Sequence, residues 1–107
     1  MSQAIIFNIT FKLSGDLAAP WANHVKLNLL PEITDGNIIT ATQLNKVLVE
    51  QDDGDETFAI QFTYTSAEVF KEHKLSTMAQ FLKGMDEQFR GQYVYFATMM
   101  ELIHQQS

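Results

Sequence analysis

Ile5-Ile6-Phe7-Asn8-Ile9-Thr10-Phe11-Lys12-Leu13 alternates apolar odd positions with even positions that include Asn8, Thr10 and Lys12. A strand sends successive side chains to opposite faces, so this period of two predicts a strand with one buried face. The stretch from Thr57 to Thr65 repeats the pattern, setting Phe58, Ile60, Phe62 and Tyr64 against Ala59, Gln61 and Thr63. Two strands that are apolar on one side only require another packed layer there.

The helices are written between the strands. After Leu13, Ser14-Gly15-Asp16 punctuates the chain, with Asp16 as the expected N-cap and Pro20 early in the helix that follows. Leu17, Ala18, Trp21, Ala22, Val25 and Leu29 recur at three-to-four spacing, and the helix is expected to end near Leu30 because Pro31 restricts the residue before it. Asp35-Gly36-Asn37 marks a loop, and Ile38 to Glu50, rich in Ile, Thr and Val, reads as a second strand. The acidic turn Gln51 to Glu56 then joins it to Thr57–Thr65 as a hairpin. Carboxylates clustered around Gly54 resemble part of a calcium loop, but the flanking helices and final carboxylate of such a loop are missing, so the turn reads as a solvated one. Thr65 and Glu68 have capping-box spacing, and Val69, Phe70, Met78, Phe81, Leu82, Met85 and Phe89 form a second helical stripe, with a bend expected near His73 to Ser76. Beyond Gly91, Tyr93 to Ile103 is apolar on both alternating rows, the mark of a strand covered on both faces.

The order βαββαβ predicts an α+β ferredoxin-like sandwich, a single domain over residues 1–107 with a four-stranded antiparallel sheet and two helices on one face. A chain of 107 residues with 46% hydrophobic residues builds one core. The face without helices carries Asn8, Thr10, Thr42, Gln61, Thr63 and one row of the last strand. That mixture is too polar for a dry core and too apolar for open solvent. A second copy of the same sheet is the simplest cover, giving a homodimeric α/β barrel with a semi-polar interior.

Composition removes several function classes. Thirteen acidic residues against seven scattered basic ones give a net charge of -6, so nucleic acid and anionic membrane surfaces are poor partners. The absence of Cys excludes disulfides, thiolate nucleophiles and thiolate metal centres. With no basic leader and no long unbroken apolar run, the chain reads as cytoplasmic.

Three histidines, His24, His73 and His104, are far apart and show no metal-ligand spacing, and no glycine-rich phosphate loop or nucleophile triad is present, so neither metal nor cofactor is expected. His24 borders the apolar stripe of the first helix and His73 sits among charges; they are the candidate proton acceptors, each set against a plain packing or surface role. Asn8 interrupts an apolar strand, and a central amide on the uncovered face needs a partner if it is buried there. Asn8, Gln61, Thr63 and Tyr95 are therefore the candidate lining of a small-molecule site.

Taken together, the pieces resemble an uncharacterised bacterial domain-of-unknown-function family of short proteins. Ile6-Phe7-Asn8-Ile9-Thr10 corresponds to the family's opening strand, Trp21 to its first-helix tryptophan, and Leu30-Pro31-Glu32-Ile33 with Gly36 to its I-P-E-V and T-G segment. Thr57-Phe58-Ala59-Ile60-Gln61-Phe62 and the ending Phe89 with Tyr93-Val94-Tyr95-Phe96 complete the likeness. Leu29 stands where members often carry a histidine, and His24 where they carry a second tryptophan. The resemblance implies a ferredoxin-like dimeric α/β barrel of unestablished activity. Its wider superfamily includes cofactor-independent monooxygenases of the antibiotic-biosynthesis type, isomerases, ligand-binding proteins and haem-degrading enzymes, the last using a first-strand asparagine and a second-helix histidine in places comparable to Asn8 and His73. Fold alone does not choose among these, nor exclude a structural or regulatory dimer without ligand.

Overall fold

A computed structural model describes residues 4–48 and 53–106. In chain order it contains β1 (Ile5–Ser14), α1 (Gly15–His24), a π-helical turn (Val25–Leu29), α2 (Leu30–Ile33), β2 (Ile39–Val47), β3 (Asp55–Tyr64), α3 (Ala67–Phe89) and β4 (Tyr93–Glu101). The strands form one antiparallel sheet in the order β2-β3-β1-β4. The helices cover one face of it, which is the predicted α+β ferredoxin-like sandwich. Residues 49–52, which hold the end of the predicted second strand and the start of the acidic turn, lie outside the described residues, and so does that part of the calcium-loop reading.

Burial follows the alternation read from β1 and β3. Ile5, Phe7, Ile9, Phe11 and Leu13 are buried, as are Phe58, Ile60, Phe62 and Tyr64, and register pairs Ile9 with Ile60 and Phe11 with Phe58. Trp21, fully buried, lies with its ring 4.8 Å from that of Phe58 and donates its indole N–H to Met85 Sδ at 2.7 Å. Phe81 packs edge-on to Phe62 at 5.3 Å, so both helical arms share one core. Each large side chain of this kind contributes about 1.5–3 kcal/mol by leaving water.

Four local expectations are corrected. The first helix begins at Gly15 with Ser14 as N-cap, not Asp16, and no side-chain hydrogen bond caps it. Instead the Gly15 amide is held by the Gly54 carbonyl at 2.8 Å, so the acidic hairpin supplies the acceptor. Nor does Pro31 end the helical arm. The Leu30 amide reaches back to the Val25 carbonyl, five residues away, and the arm runs on to Ile33. A proline ring collides with the carbonyl four residues before it, and widening the turn into a π step gives that ring room. Ser66, rather than Thr65, caps α3, accepting from the Val69 amide at 3.2 Å. The expected bend near His73 to Ser76 is absent; α3 is one helix throughout, and the Ser76 hydroxyl bonds the His73 carbonyl at 3.0 Å.

β2 and β4 depart from simple alternation for different reasons. A bulge between Ile39 and Ala41 shifts β2 by one residue, so Thr42 pairs with buried Phe62 on the helix side, not on the open face. Its hydroxyl meets that of Thr34 at 2.8 Å. β4 lies at the sheet edge. Register with β1 sets Tyr93, Tyr95, Ala97 and Met99 on the helix-side row and Val94, Phe96, Thr98 and Met100 on the open row. The expectation of a strand buried on both faces does not hold for the single chain, because Val94 and Phe96 are 66% and 63% exposed and Met99 is 59% exposed.

Candidate functional site

The open face is organised by register. Thr98, Asn8, Gln61 and Gln43 stand side by side across all four strands, one polar rung. The next rung toward the start of β1 places Ile6 beside Thr63 and Met100. Asn8 and Gln61 are thus brought together as the alternation predicts, with Thr63 one rung away. All three are half-buried in the single chain.

In the opposite direction along β1 lies a cavity of about 540 Å³ lined by Thr10, Lys12, Val47, Thr57, Val94, Tyr95 and Phe96. Thr10 faces Phe96, and Lys12 stands between Thr57 and Val94. The walls are mainly aliphatic and aromatic, and the polar groups converge from β1 and β3. Of the four predicted lining residues, Tyr95 alone borders this cavity, yet its ring occupies the helix-side row, 5.8 Å from Phe11 and 6.1 Å from Tyr93. It is no wall for the Asn8 rung. Asn8 reaches the cavity indirectly: its side-chain N–H donates to Thr10 Oγ1 at 3.1 Å.

Lys12 is not a free cation. Its ammonium lies 3.0 Å from Asp53 Oδ2 and 3.8 Å from Asp55 Oδ2. Hydrogen bonding and attraction to Asp53 raise the Lys12 pKa, while the Lys12 bond, with help from the Asp55 amide, holds the Asp53 carboxyl below the usual carboxylate range. Val47, Thr57, Val94 and Phe96 were missed as lining. The even-row parity of β1 marks Thr10 and Lys12, whereas Val47 follows only once the β2 bulge is known.

The two candidate histidines are elsewhere. His24 is buried between α1 and α3, with Nε2 2.9 Å from the Gly84 carbonyl and Nδ1 3.0 Å from Asn28 Nδ2 and 3.3 Å from Gln88 Nε2. A carbonyl only accepts, so Nε2 carries the proton and Nδ1 accepts from the two amides. Both nitrogens are engaged in holding helices together. His73 sits on α3 in a small polar cleft with Asp35, Thr77 and Gln80, its Nε2 3.9 Å from Glu72. Both lie in the helical layer, and the sheet separates them from the open-face cavity. Neither candidate histidine lines that cavity, and Asn8 and His73 lie on opposite sides of the sheet. Among the described residues no cluster of His, Asp and Glu could hold a metal ion. No helix among them is long and apolar enough to cross a membrane.

The sequence profile of a family described as a domain of unknown function, DUF4286, matches residues 4–103. The chain belongs to the DUF4286 family. No curated protein is similar to it in sequence. Solved structures similar to this DUF4286 chain share its fold at low identity. A dimeric ferredoxin-like protein from an uncultured marine organism superposes with a TM-score of 0.70 at 11% identity, over 98% of this chain and 92% of the other. A protein of unknown function from Nitrosomonas europaea gives 0.69 at 12% identity over 99% and 95%. A proposed antibiotic-biosynthesis monooxygenase from Bacillus cereus gives 0.67 at 13% identity over 98% of both chains. These likenesses establish the fold of the DUF4286 domain, and its chemistry rests on its own residues.

Proposed function

We propose that the chain acts as a homodimer closed over its open sheet face, and that the enclosed cavity binds a small semi-polar molecule. One observation carries the reading: Val94, Phe96 and Met100 form an exposed apolar row on the open face, beside a ready-made cavity, in a protein whose helices cover the other side. Two similar solved structures are described as dimeric ferredoxin-like proteins, which supports a second copy as the cover. Asn8, Gln61 and Thr63 supply the polar part of the enclosed surface, and Thr10, Val94 and Phe96 the cavity wall. The acidic, cysteine-free composition suits a cytoplasmic setting.

Sedimentation equilibrium with native mass spectrometry tests this. The wild type is expected to be a dimer, and Phe96→Glu, which puts a charge on the covered row, a folded monomer by circular dichroism. A wild-type monomer overturns the dimer. An oxygenase or isomerase is the alternative suggested by the Bacillus cereus neighbour. It has less support, since among the described residues no histidine lines the cavity.

A further inference from the structure

Hydrogen-bond direction in the cavity points to the kind of molecule it takes. A threonine hydroxyl has one proton to give. Thr10 Oγ1 already accepts from the Asn8 amide, which leaves that proton to be donated, and accepting a bond strengthens the hydroxyl as a donor. It stands directly across from Phe96 in the cavity wall. The cationic group at the rim, Lys12, is held by two carboxylates, Asp53 and Asp55, so the rim carries no surplus positive charge to receive an anion. Val47, Val94 and Phe96 supply the rest as apolar wall.

We propose that the cavity selects a neutral, largely apolar molecule carrying a hydrogen-bond-accepting oxygen, which the Thr10 hydroxyl donates to, with Asn8 as the positioning residue that fixes the direction of that bond. This rests on the ligand-binding reading above and adds the class of ligand. Asn8 is not among the residues that line this cavity. It acts through Thr10.

The test uses the full chain and three probes of one size, naphthalene, 2-acetonaphthone and 2-naphthoate, with binding followed by fluorescence titration. Acetonaphthone is expected to bind about five- to tenfold more tightly than naphthalene, the worth of one net hydrogen bond. Naphthoate is expected to bind more weakly than acetonaphthone. Thr10→Val is expected to bring the acetonaphthone-to-naphthalene affinity ratio to about one, whereas Thr10→Ser retains the ratio. Asn8→Asp is the decisive variant: a carboxylate accepts the Thr10 proton, so the acetonaphthone-to-naphthalene affinity ratio falls to that of Thr10→Val. A merely structural role for Asn8 would weaken all probes alike, which overturns the positioning argument. Equal binding of naphthalene and acetonaphthone, preferred binding of naphthoate, or an advantage that survives Thr10→Val overturns the ligand class while leaving the cavity reading intact. If none of the three binds, the cavity reading itself falls, and this inference with it.

Discussion

Replacing His24 by Ala separates a packing role from a chemical one. The ring makes three hydrogen bonds, to the Gly84 carbonyl at 2.9 Å and to the amides of Asn28 and Gln88 at 3.0 and 3.3 Å, and packs 5.9 Å from the Phe89 ring. At about 0.5–1.5 kcal/mol net for each bond, with the longest counted at the low end, the lost bonds amount to about 2–3 kcal/mol. The space left beside Phe89 adds a cavity cost, for a total of about 3 kcal/mol. A domain of this length has about 5–16 kcal/mol in all, so the variant folds but melts early, by roughly 12–24 °C at about 4–8 °C per kcal/mol. Urea unfolding followed by far-ultraviolet circular dichroism reads the loss directly, and an unchanged slope confirms that both proteins unfold from comparable states. Pairing it with Asn28→Ala in a double-mutant cycle isolates the bond between Asn28 and Nδ1. A loss below about 0.5 kcal/mol would show that His24 does not clamp the two helical arms, and would return it to the pool of groups available for chemistry. Binding of small molecules at the open face is expected to be unaffected.

Gly15→Ala is expected to destabilise despite alanine's better helix propensity. The new Cβ would lie 2.8 Å from the Gly54 carbonyl oxygen, a backbone atom fixed by the bond it accepts from the Gly15 amide, so a cost of about 1–3 kcal/mol from thermal melts is the expected result and a gain would refute the contact. Asp35 accepts from the amides of Ile38, Asn37 and Ile39, and these bonds lower its pKa from 3.8. A carboxyl depressed in the fold stabilises it above the unfolded value and loses that contribution as pH falls through the folded one, so Asp35→Asn should lower stability across the neutral range and flatten the profile below about pH 4, as read by urea unfolding at a series of pH values. Trp21→Phe keeps an aromatic ring but removes the N–H that reaches Met85 Sδ and part of the packing on Phe58, and a loss of about 1–3 kcal/mol by urea titration is expected.

Much of the architecture is legible because β1 and β3 are amphipathic strands of strict parity. Ile9 and Phe11 on one row and Asn8 and Thr10 on the other settle which face meets the helices, and register then sets Asn8 beside Gln61 without further information. Where parity is interrupted, legibility ends. The bulge beyond Ile39 has no glycine or proline to announce it, so Thr42 is assigned to the wrong face. The π turn before Pro31 is equally silent, since proline is ordinarily a stop signal and the widened turn that tolerates it depends on the tertiary seat of Leu29 and Leu30. β4 misleads for a third reason. An apolar residue reports that burial is favourable, not that the chain's own elements provide it, and those elements leave Val94 and Phe96 exposed. The cavity, finally, draws its lining from all four strands, which no single segment encodes.

Strand order also sets a timetable. β1, the first strand made, lies between β3 and β4, and its partners are Ile60 and Ala97 for Ile9 alone. Sheet assembly therefore waits on contacts between residues distant in sequence, which slows folding through the loop closure they require. On the ribosome β1 can pair with β3 well before β4 emerges, and during that interval its free edge is open to any extended segment nearby. The arrival of Tyr93 to Glu101 closes that edge and exposes another, more apolar one in its place. Heating or overexpression would then find the chain most vulnerable to association along that exposed final strand.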